Sequence, residues 1–318
     1  MNCRSQWLVG IVYALVSGAS IAKDFPEKPI RVIVATSAGT TTDLLSRALG
    51  PEMSRLIGPP IVIEDRPGAN QIIGLEHVAK QAAADGYTIA VVGLEGLALL
   101  PVTSKELRFD AFRDLPPVIG LAEGRYVLRS PVTAPWKTFA EMVAYVKANP
   151  GKMNYGSSAA QVRVPMLLLM RELGLDILHI PYGGGAKYLQ ALAAGEVHLG
   201  FTGEGALAGS GDRVRWLAVT GEQRVVGFKD VPTFSELRFP QLRGPSYTIN
   251  VRAGTPAEAT EKIYASASRA LQSAEVKSSL AKLQLEILND TAQVAAKKLL
   301  DAGRFYAEFA KAADIKPE

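Results

Sequence analysis

An α/β protein of two lobes, each built on a mainly parallel sheet, is the fold the sequence predicts. Three observations carry the prediction. Short apolar runs alternate with amphipathic helical stretches. The alternation is interrupted near Gly124 and again near Ser246. Small-residue turns stand where strands pass into helices. Strand–helix alternation at this spacing implies parallel sheets covered by helices. A length of 318 residues, 48% apolar and 21% charged, suits two domains of ordinary size.

The first twenty-two residues, MNCRSQWLVGIVYALVSGASIA, stand outside this pattern. One Arg precedes an apolar run from Trp7 to Val16, and Ser20 and Ala22 form a small-x-small cleavage site. Residues 1–22 therefore read as a secretory signal peptide. The run is shorter than the roughly 20 apolar residues a membrane span needs, so an uncleaved anchor is the weaker alternative. Cys3, the only cysteine, precedes the run and would leave with it. The mature chain is expected to have no thiol, disulfide or cysteine-metal site and to reside in the periplasm. The net charge of +4 is spread without a Lys/Arg block, which argues against a nucleic-acid partner.

In the first series, IRVIVAT predicts a strand. From Asp43 to Ile57, Leu45, Leu49, Met53 and Leu56 share one helical face. Pro51 is expected to kink this helix, because it cannot donate to the Arg47 carbonyl. Gly58-Pro59-Pro60 ends it, Ile61 to Glu64 forms the next strand, residues 71 to 84 a helix and Tyr87 to Val92 a third strand. The second series has a helix ending near Asn149-Pro150 and a strand at Met153 to Tyr155. LDILHIPYGGG is a strand entering a glycine turn, KYLQALAAGEVHLGF a helix and strand, and RVRWLAVT a further strand. After an irregular stretch, Tyr247 to Val251 is extended and the C-terminus is nearly all helix. TPAE predicts the start of the first of these helices, with Thr255 as N-cap, Pro256 at the first position and Glu258 closing a capping box.

The turns carry the functional expectation. TSAGTTTD, YGSSA and PYGGGA each leave a strand and enter a helix. A helix N-terminus carries unsatisfied N–H groups and partial positive charge, and a small-residue loop lets an anion reach them. In open parallel sheets such loops lie at the carboxyl ends of strands, where ligands bind. Tight turning alone also favours small residues. Three such loops, one from the first series and two from the second, predict an anion clamp between the lobes.

These segments resemble the extracytoplasmic solute receptors of tripartite tricarboxylate transporters, the Bug or TctC-like binding proteins. FPEKPIRVIVATSAGTTTD, IVIEDRPGAN, DGYTI, NPGKMNYGSS, HIPYGGGA, GEVHLGF, RWLAVT, VPTFSEL, AGTP and IKPE match in order over almost the whole mature chain. The resemblance implies a periplasmic binding protein of the Venus-flytrap kind. Such a protein captures a small organic solute, usually a carboxylate, and delivers it to one large and one small membrane subunit. It implies no cofactor and a monomer. It places lobe 1 over residues 23–126, lobe 2 over 127–248 and a return to lobe 1 over 249–318. The crossovers are expected near 124–128 and 246–251, with the helices from Thr255 onward packed on lobe 1.

The resemblance also proposes the site. From the first loop it takes Thr36, Ser37, Gly39, Thr40 and Thr41, with Asp43 as a helix cap. From the second it takes Tyr155, Gly156, Ser157 and Ser158, and from the third Tyr182, Gly183, Gly184 and Ala186. Thr202, Ser246 and Tyr247 stand at other pocket-facing positions. Departures from the family pattern add charges. A small polar set after the third strand is replaced by Leu94 and Glu95, Arg163 replaces loop residues that are usually Gly, Ser or His, and Glu204 follows Thr202. Arg163 would pair with a carboxylate; Glu95 and Glu204 would instead suit an amine or zwitterion; all three would face solvent if uninvolved.

Enzyme signatures are missing. His77 lies within a helix and His179 and His198 within strands, none with metal-ligand spacing, and neither a nucleophile elbow nor a phosphate loop occurs. GEGALAG faintly resembles a dinucleotide loop but lacks room for its helix. The chain is expected not to be an enzyme and to bind no metal. Two partner readings remain open: transport through membrane subunits, or signalling by a solute-loaded receptor to a sensor kinase.

Overall fold

A computed structural model describes residues 25–204, 206 and 213–312. The expected cleavage site, Cys3, most of GEGALAG and the IKPE segment lie outside the described residues. The first sheet comprises β1 (Ile30–Val34), β2 (Ile61–Asp65), β3 (Thr88–Gly93), β4 (Pro117–Glu123), β10 (Ser246–Val251) and β11 (Glu286–Thr291), in the order β11-β4-β10-β3-β1-β2. β2 and β3 run parallel to β1, whereas β10 is antiparallel to both β3 and β4, and β11 is antiparallel to β4. Thus β1 to β4 share one direction and the two late strands oppose it.

The second lobe holds β5 (Tyr126–Pro131), β6 (Met153–Ser157), β7 (Ile177–Pro181), β8 (Gly200–Gly203) and β9 (Val214–Val219). β5 pairs antiparallel with β8 and β9, and β6 pairs parallel with β7. A parallel bridge from Tyr155 to Leu199 joins the two groups into one layer. Four of these five strands again share a direction.

Helices cover both faces of the first sheet. α1 (Thr41–Ile57) buries Leu45, Leu49 and Met53 at four-residue spacing. These meet Ile263 of α7 (Ala257–Ala270) and Leu280 of α8 (Ala274–Lys282). α1 continues past Pro51 to Ile57, where Gly58, at φ 105°, donates its N–H to Ser54 O. On the opposite face, α2 (Ile72–Glu76) leads into a π turn, His77–Gln81. There α3 (Leu94–Thr103) and α9 (Ala292–Ala312) complete a second apolar cluster. The second lobe adds α4 (Phe139–Ala148) and α5 (Ala160–Leu173) around Trp136, Phe201 and Phe234, while α6 (Gly185–Ala194) packs Ala191 and Leu192 against Val197 in a smaller cluster. No helix among the described residues is long and apolar enough to cross a membrane.

Three sequence expectations change. β10 begins at Ser246 and pairs there with Glu123 of β4, so the chain is back in the first sheet before residue 249. Ladder bonds on both sides of β10 hold it there. α9 does not pack on lobe 1 alone: Leu299 enters the lobe 1 cluster, while Phe309 and Leu99 of α3 enter the lobe 2 core. Thr255 does not cap α7; its hydroxyl donates to Arg252 O at 2.8 Å, and Glu258 pairs with Lys262.

The lobes are joined by two crossing segments. β4 passes into β5 through Gly124 and Arg125, and the chain returns through Gly244 and Pro245 into β10. Gly124 N donates to Pro245 O at 2.8 Å, which binds the crossings together.

Candidate functional site

Topology brings the three small-residue loops toward this hinge. β1, β3 and β4 are codirectional, so the loops after β1 and β3 lie at the same sheet edge as Glu123, where β4 leaves for lobe 2. β5 starts at that crossing, and its antiparallel partner β8 ends beside it. β6 and β7 run with β8, so the loops after them also lie at the hinge edge. Each loop therefore stands at the carboxyl end of a parallel strand, on the β1–β2 or β6–β7 flank.

The loops differ in what they have left to offer. In the first, Thr40 caps α1 and Thr36 Oγ1 lies 2.7 Å from Thr40 Oγ1. Thr40 Oγ1 also meets Ser37 O at 2.9 Å, while Asp43 accepts the Gly39 N–H at 2.8 Å. Asp43 in turn holds Arg47 at 2.5 Å. The helix start is thus already supplied with a carboxylate of the chain itself. The N-cap is thus Thr40, which had been expected to face a ligand, and not Asp43, which stands in the first turn of α1 and takes up the Gly39 amide that had also been expected to face a ligand. Thr41 stands beside the buried Tyr247 hydroxyl; burial raises the pKa of Tyr247, and the Thr41 contact pulls against it.

The second and third loops are open in this sense. α5 begins after Ala159 and α6 after Gly184; neither has a side-chain cap or an acidic residue in its first turn. Val162 N and Arg163 N reach back to Ala159 O, so the first helical amides, on Ala160 and Gln161, precede the intrahelical ladder. The backbone of Gly183, Gly184 and Gly185 has φ outside the left-handed region, and a Cβ on any of them would meet nothing within 4 Å. Neither conformation nor packing requires these glycines; what they provide is an unobstructed main chain. Ala186 and Lys187 follow, both exposed, and Tyr182 anchors the loop by donating its N–H to Ser157 O at 2.9 Å.

Other expected site residues are committed to the fold. Tyr155 is buried, with its ring 4.8 Å from that of His179 and its hydroxyl beside Arg163. A side chain on Gly156 would strike the Tyr188 ring at 2.8 Å. Thr202 accepts from the buried guanidinium of Arg129, which also donates to Gly203 O and Glu204 O and stacks over Trp216. Burial draws the pKa of Arg129 down to about 10. Glu204 is half-buried, which raises its pKa, and lies 3.8 Å from Arg125. Glu95 does not present its carboxylate to an amine: Oε2 accepts Ser246 N and Oε1 accepts Ser246 Oγ, both at 2.8 Å. Ser246 is thereby occupied as well. Desolvation, partly offset by these bonds, lifts the pKa of Glu95 to about 7.

A cavity of about 850 Å³ opens on the other flank of the hinge, between Arg125, Arg243 and Tyr306. Of the expected site residues it borders Glu95, Glu204 and Ser246 and none from the three loops. His179, bonded to Ser157 at 2.7 Å, and Lys187 were not among the expected site residues. Lys187 had a sequence signal, a cation in the first turn of a predicted helix. His179 had none, since its partner lies twenty-two residues away on a neighbouring strand.

Two α/β lobes on separate sheets, joined by paired crossing segments and converging helix N-termini, define the solute-binding proteins of the periplasm. Residues 45–306 match the tripartite tricarboxylate transporter family receptor, and the chain belongs to that family. It is 33% identical over 268 residues to the UPF0065 protein in the gbd 5' region of Cupriavidus necator, covering 83% of this chain and 81% of that one. The structure of the periplasmic binding protein BugD superposes with a TM-score of 0.80 at 25% identity, over 92% of this chain and 100% of that chain. R. palustris Rpa4515 with adipate superposes at 0.82 with 27% identity, over 93% and 100%. As a member of this family the protein is a solute-binding receptor and not an enzyme.

Proposed function

We propose that this receptor binds a small carboxylate at the N-termini of α5 and α6 and closes lobe 1 over it. The observation that carries the reading is electrostatic. Both helices begin uncapped and without an acidic residue, while Arg163 and Lys187 stand within a turn of their starts. Cations at that end oppose the helix dipole, and an anion between them satisfies both the amides and the side chains. Adipate, the ligand of Rpa4515, belongs to the same chemical class. The commitment of Glu95 to Ser246 argues against the amine-binding alternative. Ser158 and Thr41 complete the polar rim in this proposal, and two-lobe closure is the motion.

A thermal-shift panel of dicarboxylates, tricarboxylates and amines tests the ligand class. A bound acid at about 100 times its dissociation constant should stabilise the fold by about 2.7 kcal/mol. A panel in which amines shift the melt and acids do not would overturn the reading.

The solute is then delivered to a membrane transporter of one large and one small subunit, as the family resemblance implies. Export precedes this, with cleavage after Ala22. Intact-mass measurement of periplasmic material is expected to show a chain starting at Lys23; a mass including Cys3 would refute it.

A further inference from the structure

Ser157 ends β6, two positions before the α5 N-cap Ala159. Its main chain is fixed, because its carbonyl accepts from Tyr182 N at 2.9 Å. What remains adjustable is the hydroxyl rotor. Ser157 Oγ lies 2.7 Å from His179 Nε2, and only one of the two atoms supplies the hydrogen. If Ser157 donates to the ring, its oxygen turns only lone pairs to the loop, and these repel a carboxylate. If Nε2–H donates to Ser157, the hydroxyl hydrogen is released to point at an anion. The imidazole plane is set by Tyr155, whose ring lies 4.8 Å away at 33°. The Tyr155 hydroxyl is itself beside Arg163. Ring, guanidinium and helix start thus lie along one face of the β6–β7 pair.

We infer that His179 is a positioning residue: with its proton on Nε2, it donates to Ser157 Oγ and turns the Ser157 hydroxyl into a donor for an anion at the α5 N-terminus. The inference rests on the proposed carboxylate site and adds to it the group that sets the polarity of one of its donors. It also bears on specificity. A site in which Ser157 is forced to donate rejects ligands that offer a hydrogen there and accepts those that offer a lone pair.

Calorimetry with adipate as the probe, on the full-length mature protein, tests it with Ser157→Ala, His179→Phe and His179→Gln. Phe keeps the ring against Tyr155 and loses the nitrogen, whereas Gln restores an N–H near the Nε2 position. Ser157→Ala and His179→Phe are each expected to weaken adipate binding about tenfold, the scale of one charge-assisted hydrogen bond. The double variant should be no weaker than either single one, because both remove the same donor. His179→Gln should bind within about threefold of the parent protein, a difference of less than about 1 kcal/mol. Additive losses, or a His179→Gln variant as weak as His179→Phe, would overturn the positioning role while leaving the carboxylate site intact. A nitrogen–proton correlation spectrum of the unmutated protein with adipate gives an answer that needs no variant. The Nε2–H form of His179 is expected, and the Nδ1–H form overturns the inference. If adipate and the wider acid panel all fail to bind the unmutated protein, the carboxylate site falls and this role falls with it.

Discussion

Gly244→Ala is expected to destabilise the protein by about 3 kcal/mol, the range of a severe overpacking substitution combined with a strained hydrogen bond. A Cβ at Gly244 would lie 1.9 Å from Gly124 O, 2.9 Å from Gly124 C and 3.1 Å from Arg125 Cα. All three atoms are backbone of the other crossing segment, so no side-chain rotation can relieve the overlap. The crossings would have to separate, and the bond from Gly124 N to Pro245 O would lengthen with them. Those two segments would form the axis of the proposed lobe closure, so the loss is expected in ligand-induced closure as well as in stability. Gly203→Ala is the control. It lies at the hinge-facing end of β8, opposite Tyr126, with nothing within 4 Å of its Cβ position and φ outside the left-handed region. Its cost should stay within about 0.5 kcal/mol. Urea unfolding of both variants provides the comparison. A Gly244→Ala cost as small as that of the control would show that the crossings move apart freely.

What was legible in the sequence was local. β1 could be placed because Ile30 and Val32 to Val34 are apolar, broken only by Arg31, as a strand largely buried on both faces requires. The start of α1 could be placed near Asp43 because the amphipathic pattern begins there, although the N-cap is Thr40 and Asp43 reaches back to Gly39 N from the first turn. The glycine run at 183–185 marked the α6 start because it separates the apolar strand before it from the helical stretch KYLQALAA. What was not legible depends on partners distant in the chain. The strand Ser246–Val251 has an ordinary extended pattern, and nothing within it says which sheet it joins; β3 and β4 on either side decide that. Glu95 looked like a ligand contact because it replaces a small polar residue of the family pattern after the third strand. Its two donors come from Ser246, 151 residues later. The TPAE signature failed by one position: α7 begins at Ala257 with Pro256 at its N-cap, so Thr255 stands one residue too early to cap it, and its hydroxyl donates to Arg252 O. His179 escaped notice because a search for metal spacing along the chain does not see a neighbour across a parallel pair. The candidate site was therefore legible as loops and helix starts, and illegible wherever a side chain had already been bonded by the rest of the fold.

Glu95 supplies the other large effect, and its sign depends on pH. Burial disfavours the charged carboxylate and lifts the Glu95 pKa from an ordinary value of 4.5 to about 7, against the opposing pull of the Ser246 N–H and hydroxyl. The native state therefore binds the Glu95 proton more tightly than the unfolded chain does. Linkage then makes the contribution of Glu95 greatest below pH 4.5, and it is lost as pH rises through about 7. At about 1.4 kcal/mol per pKa unit, the swing across that window is about 3 kcal/mol. Gln is nearly isosteric, keeps one acceptor for Ser246 N and cannot ionise. Glu95→Gln should therefore match the parent protein near pH 4.5 and exceed it by up to about 3 kcal/mol at pH 8, where the parent carries a buried charge. Urea unfolding of both proteins at several pH values between these limits gives the difference directly. A gap that stays constant across the window would mean that Glu95 titrates alike in the folded and unfolded chains, its burial then being matched by Ser246 and the α3 N-terminus. A gap that opens in the other direction, with the parent gaining on Glu95→Gln as pH rises, would mean that those donors outweigh desolvation and that the carboxylate is held ionised as a structural anion at the hinge.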